Sequence, residues 1–75
     1  MTALDALAIA DRGRVVRVHG TDEISLRLLE MGLTPGVEVT LVGVAPLGDP
    51  LELEVRGYRL SIRRVEAARV EIALL

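Results

Sequence analysis

The chain has 75 residues, nine basic and eleven acidic, and its net charge of −2 gives no global pull toward nucleic acid or anionic lipid. Apolar residues make up 51%, yet Phe and Trp are absent and Tyr58 is the only aromatic, so a core must be built from Val, Leu, Ile and Ala. No cysteine means no disulfide framework and no thiolate metal site; no lysine means no P-loop, whose phosphate grip requires one.

In chain order, Thr2 is placed to cap a short first helix, with Leu4 and Leu7 one turn apart and Asp5 in the first turn. That helix is expected to end around Ala10-Asp11-Arg12-Gly13. Arg14-Val15-Val16-Arg17-Val18-His19 is a β-branched run that reads as the first strand. Gly20-Thr21-Asp22 breaks it, and Thr21 or Asp22 is the natural N-cap of a second helix from Glu23 to Met31. Helical spacing puts Ile24, Leu28 and Met31 on one stripe, expected to face the core. Leu26 falls nearly opposite, beside Glu30, with Arg27 on its flank.

Gly32 follows the helix and is expected to close it in the left-handed conformation, with Leu33 folded back on the last turn. Thr34-Pro35-Gly36 reads as a type II turn, Pro35 setting the first corner and Gly36 the second. Replacing Gly32 by valine should then cost roughly 1–3 kcal/mol. Val37-Glu38-Val39-Thr40-Leu41 alternates as a strand, and Gly43 suggests a bulge or bend beyond it. Ala45-Pro46-Leu47-Gly48-Asp49-Pro50 is a loop by composition, with Leu47 the one residue that polarity does not explain.

Leu51-Glu52-Leu53-Glu54-Val55-Arg56 alternates strictly and is expected to turn through Gly57-Tyr58 into Arg59-Leu60-Ser61-Ile62-Arg63. That register opposes Val55 to Leu60, Leu53 to Ile62, and Glu52 to Arg63. Arg64 to Ala68 is long enough for one turn of 3₁₀ helix, and Val70 to Leu74 forms a last strand. Five short strands with one helix inserted after the first bury their apolar side by curling into a small barrel. Residues 1–75 read as one domain, mainly β with short helices. The longest apolar run, Leu41–Gly48, is far short of the ~20 residues a membrane span needs, and no basic region precedes apolar residues at the N-terminus. A cytoplasmic location is expected.

Arg14–Val18, Leu28–Val39 with its Met31-Gly32-Leu33-Thr34-Pro35-Gly36 centre, Ala45–Pro50 and Val55–Arg63, in that order, resemble the FeoA family. The resemblance runs from about Leu4 to Leu74. It implies an SH3-like five-stranded barrel and a role in bacterial ferrous iron uptake. The implied partner is FeoB, a membrane permease carrying a GTPase domain. Ile9-Ala10 departs from the family, whose members commonly carry glycine before the acidic residue. The same domain type ends iron-dependent repressors; without a helix-turn-helix region, the free-standing accessory form is expected.

The residues argue against chemistry. A single histidine, His19, and no cysteine cannot supply a two-histidine ferrous site, so stoichiometric micromolar Fe²⁺ binding is not expected. Ser25 and Ser61 have no evident base, so the expectation is a non-enzyme without cofactor. A nucleic-acid-binding small barrel is the alternative, resting on Arg56, Arg59, Arg63, Arg64 and Arg69. One aromatic gives no stacking platform, and a solvated ion-pair face explains the arginines better. Leu26, Arg27, Glu30 and Leu47 are the candidate partner surface; Gly32, Pro35, Gly36 and Gly57 are the structural turns. Whether the chain forms homo-oligomers is left open.

Overall fold

The computed structural model describes residues 2–75, which form one sheet of six antiparallel strands with two short helices. The strands are β1 (Thr2–Ala3), β2 (Arg12–Val18), β3 (Glu38–Val44), β4 (Leu51–Val55), β5 (Tyr58–Ile62) and β6 (Val70–Leu74). The helices are α1 (Glu23–Glu30), inserted after β2, and α2 (Arg64–Ala67), before β6. The sheet order is β1-β6-β2-β3-β4-β5, so the last strand is laid between the first two. Fifteen apolar side chains, all aliphatic, form one core. No helix among the described residues is long and apolar enough to cross a membrane.

The first segment differs from expectation. Thr2 does not cap a helix: it pairs with Ile72, and Ala3 with Glu71, giving a sixth strand; only Leu4–Ala6 coils, as a single 3₁₀ turn. Two residues are too few to show an alternation, and what holds them is β6, far along the chain. Leu4 and Leu7 are buried, so the expected apolar anchors serve a different backbone. Ala10 has φ +79°, a conformation glycine takes at far lower cost, and its N–H bonds the Leu41 carbonyl at 2.7 Å. Ala10, near where the resemblance implies a glycine, thus takes a glycine conformation.

β2 starts two residues earlier than the valine run suggests and bulges between Val15 and Arg17. The bulge lets both Val15 and Val18 lean on the core although they stand three positions apart. Asp22 is the N-cap of α1, its carboxylate accepting the Ser25 N–H at 3.1 Å. The helix lies rotated from the expected stripe. Ser25 and Leu28 face inward, Met31 is half-buried, and Ile24 remains 37% exposed. Small Ser25 lets the helix approach β2 closely, because its hydroxyl sits 2.7 Å from the His19 carbonyl.

At the end of α1, Gly32 (φ +105°) donates to the Leu29 carbonyl and Leu33 to that of Leu28, the two bonds of a Schellman cap. Leu33 is fully buried. Gly36 has φ +94°, and Val37 N–H closes the Pro35-Gly36 turn on the Thr34 carbonyl. Val37, Val39 and Leu41 are buried along β3, and the register shifts between Leu41 and Gly43.

The β4–β5 hairpin corrects the expected register. The two turn residues are Arg56 (φ +52°) and Gly57 (φ +85°), a type I′ turn, and Tyr58 is the first residue of β5. Val55 faces Tyr58, Leu53 faces Leu60, Leu51 faces Ile62, and Glu52 faces Ser61 rather than Arg63. The slip is two residues, so inward side chains stay inward. What selects it is the Tyr58 hydroxyl, which reaches the Met31 carbonyl at 2.6 Å, together with full burial of Leu51 opposite Ile62. That contact compensates for a non-glycine residue in the left-handed region at Arg56. Beyond it α2 is α-helical rather than 3₁₀, and Glu66 caps it by accepting the Arg63 N–H at 2.8 Å.

Candidate functional site

The outward face of α1 carries Leu26, Arg27 and Glu30, all exposed, Leu26 at 56%. Leu26 and Leu29 line a shallow, largely apolar hollow of about 290 Å³ beside Asp22 and Thr21. Arg27 is not free: its guanidinium pairs with the carboxylate of Glu66, which is buried at the α2 cap. A buried carboxylate needs such a partner, and the pair ties α1 to α2.

Leu47 is 97% exposed at the tip of its loop. The loop beneath it is held firmly: Gly48 N–H bonds the Ala45 carbonyl at 2.8 Å, and Arg64 Nε bonds the Gly48 carbonyl at 2.9 Å. The Arg64 backbone N–H meets Asp49 Oδ1 at 2.9 Å. A fully exposed leucine on an anchored loop is presented rather than merely unburied. The structure does not bring Leu26 and Leu47 to a common pocket, since Leu47 lines neither large hollow.

A larger hollow is one that sequence spacing missed. A groove of about 570 Å³ runs between α1 and the outer side of β5, walled by Ile24, Pro50, Ser61, Arg63, Val65 and the Arg27–Glu66 pair. Its sequence signal was present but ambiguous. Val65 has no core role in a single turn, and Ile24 fits a core stripe that the helix does not use.

The arginines divide sharply. Arg12 and Arg14 pair with Glu38, Arg17 with Glu71, Arg27 with Glu66 and Arg69 with Asp22. Arg56, Arg59, Arg63 and Arg64 have no carboxylate within ion-pair distance among the described residues. The expected ion-pair face is therefore correct for Arg69 and wrong for the other four, because Glu54, though opposite Arg59, does not close a salt bridge.

Around the start of α1 a polar network is complete. Asp22 Oδ1 accepts from Arg69 Nη1 at 2.6 Å and lies 3.0 Å from the Ser25 hydroxyl. His19 Nε2 lies 2.9 Å from Glu71 Oε1. Hydrogen bonding from Arg69, then from the Ser25 N–H, pulls the Asp22 carboxyl down from 3.8 to about 2. The folded-state value lies below the unfolded one, so this stabilisation is present above about pH 4 and is lost as pH falls toward 2. Asp22→Asn keeps a capping oxygen and cannot ionise. It is expected to lose less of its urea midpoint than the parent between about pH 5 and pH 2. Equal losses would show that Asp22 does not couple protonation to folding.

Among the described residues, no three His, Cys, Asp or Glu side chains gather closely enough to hold a metal ion. The surface carries a hollow beside Leu26, a groove along β5, and four arginines without carboxylate partners among the described residues.

Comparison with known proteins fits this shape. The chain matches the FeoA domain family over residues 2–74. It is 39% identical over 72 residues to the Fe(2+) transport protein A/Fe(2+) transporter FeoB fusion protein of Porphyromonas gingivalis, covering 96% of this chain but only 8% of that relative. The solution structure of a FeoA-like protein from Clostridium acetobutylicum superposes with a TM-score of 0.92 at 31% identity, over 99% of this chain and 86% of that one. Stenotrophomonas maltophilia FeoA, a prokaryotic SH3 domain protein solved in complex with zinc, superposes with a TM-score of 0.85 at 34% identity, over 97% and 91%. With its SH3-like sheet, its Gly32 cap and a family match across nearly every residue, the chain belongs to the FeoA family, which is linked to ferrous iron transport.

Proposed function

We propose that this chain is a non-enzymatic accessory domain of ferrous iron uptake that binds the cytoplasmic part of a FeoB-type permease and modulates its GTPase cycle or assembly. The observation that carries the reading is the Porphyromonas gingivalis relative, in which the matching stretch is part of one polypeptide with the transporter FeoB. Covalent linkage holds two modules at an effective concentration on the order of millimolar, which suits partners that otherwise meet by diffusion. The side chains support binding rather than chemistry. The Ser25 hydroxyl is engaged by the His19 carbonyl and by the Asp22 carboxylate, which Arg69 holds as a very weak base.

The docking surface in this reading is the outer face of α1, with Leu26, Arg27 and Glu30, together with Leu47 on its anchored loop. Arginine is among the side chains that dominate interface energetics, and exposed leucines beside it add apolar area that an interface would shield from water. Leu26→Asp and Leu47→Asp are expected to melt close to the parent and to weaken binding to the isolated permease GTPase domain. At least one should lose about tenfold in affinity, or 1.4 kcal/mol, by calorimetry. Parent-like melting with unchanged affinity in both would refute this surface. Failure of the parent itself to bind, at moderate salt, would refute the partner.

A further inference from the structure

β5 forms one edge of the sheet and pairs only with β4. In a hairpin closed by a two-residue turn, Val55 and Tyr58 exchange backbone bonds, and the alternation then points the N–H and C=O of Arg59 and Ser61 away from β4. Among the described residues these groups find no backbone partner elsewhere. An open row of donors and acceptors therefore faces the groove that α1 walls on its other side.

We propose that this edge is a docking site for an extended, acidic segment of a protein partner, which adds to β5 as a further strand. Arg59 in β5 and Arg63 just beyond its end are exposed and lack carboxylate partners among the described residues. Carboxylates of an incoming strand would complete them, since Glu54, opposite Arg59 on β4, closes no salt bridge with it. The segment's alternate apolar side chains would meet Ile24 and Val65, which are 37% and 73% exposed on the groove walls. Glu66, the one acid lining the groove, is neutralised by Arg27 and offers little repulsion. Main-chain bonds would supply affinity and the charge pattern selectivity, as in other strand-addition interfaces.

Other occupants fit less well. A second copy of β5 would set arginine against arginine across the new ladder, a repulsion that protects the edge from self-pairing. A polyproline ligand needs an aromatic groove, and Tyr58, the one aromatic, has its hydroxyl bound to Met31. Single-stranded RNA meets the same lack of stacking surface.

The test uses the full chain labelled with ¹⁵N and titrated with an acetylated peptide of alternating glutamate and valine, about eight residues long to span β5. Amide shifts are expected to concentrate at Arg59–Ile62 and around Ile24 and Arg27. Affinity should fall at least about tenfold in the Arg59→Glu/Arg63→Glu variant, whose exposed sites should leave melting unchanged. Two control peptides make the same point in the unaltered protein. A lysine–valine peptide should not bind, and the acidic peptide N-methylated at alternate residues should lose most of its affinity. No shifts at millimolar peptide would overturn the proposal, as would full affinity after charge reversal or N-methylation. A uridine oligonucleotide that displaces the peptide and binds more tightly would reassign the edge to nucleic acid. None of these measurements involves a permease, so this site and the α1 surface stand or fall separately.

Discussion

Replacing Gly32 by valine is expected to destabilise the fold by about 3 kcal/mol, at the top of the range that turn chemistry alone suggests. Two costs combine. At φ +105° a β-branched residue is strained, for about 1–3 kcal/mol. The new Cβ would also land on the Tyr58 hydroxyl, displacing it from the Met31 carbonyl. Tyr58 is partly exposed and can swing away, so the second cost is limited to the lost hydrogen bond, about 1 kcal/mol. For a domain of this size the melting temperature should drop by roughly 15–20 °C. A double-mutant cycle separates the two costs. In a Tyr58→Phe background the hydroxyl is gone, the next ring atom lies 3.6 Å from the added carbon, and substitution at Gly32 should cost only the strain. Melting within a degree of the parent would mean that Gly32 does not close the helix.

Leu28→Ala is expected to cost about 3–4 kcal/mol, a large share of the roughly 4–10 kcal/mol that a chain of this length commands. Leu28 is fully buried, and it is the only large α1 side chain that is. Ser25 contributes little apolar area, and Leu29 and Met31 are half-covered. Truncating Leu28 therefore leaves a cavity beneath the helix and loosens its hold on the sheet. Hydrogen exchange should show α1 amides losing protection before those of β3 and β4. Leu26→Asp, two residues earlier on the opposite face, should leave both stability and protection near parental values. A loss below about 1 kcal/mol in Leu28→Ala would mean that α1 is held by its caps and the Arg27–Glu66 pair instead.

The contrast between Leu28 and Ile24 shows how far the sequence could be read. Periodicity of 3.6 places Ile24, Leu28 and Met31 together, but it fixes only their relative angles. The helix's rotation is set by what its ends are tied to: Ser25 at the His19 carbonyl and Met31 at Tyr58. The Tyr58 tie comes from 27 residues away, and the His19 tie, only six residues away, depends on how the chain turns through Gly20-Thr21-Asp22. The hairpin shows a similar limit. Gly57 announces a tight turn, yet glycine serves as the first residue of one primed turn and the second of another. The reach of Tyr58 to Met31 and the burial of Leu51 opposite Ile62 decide between them. Gly32 and Gly36, by contrast, have φ values dictated by their neighbours, and local reading suffices there. Surface features were least legible. Exposure of Leu26 and Leu47 followed from pattern, but ion pairing depends on which strands become neighbours, so the isolation of Arg59 and Arg63 emerges only after folding.

The placement of β6 between β1 and β2 has a consequence in time rather than space. Thr2–Ala3 has no sheet partner except β6, and much of β2 pairs with the same strand. Thr2–Ala3 must therefore wait, unpaired, for residues 70–74 to arrive, while β2 can pair first with β3. Local hairpins such as β4–β5 form on a microsecond scale, whereas closing a loop across nearly the whole chain must be paid in entropy before any contact rewards it. The barrel should then fold in milliseconds to seconds, slower than a helical protein of equal length. Loss of residues 70–75 would not fray an edge; it would remove the strand that β1 pairs with and one of the two partners of β2.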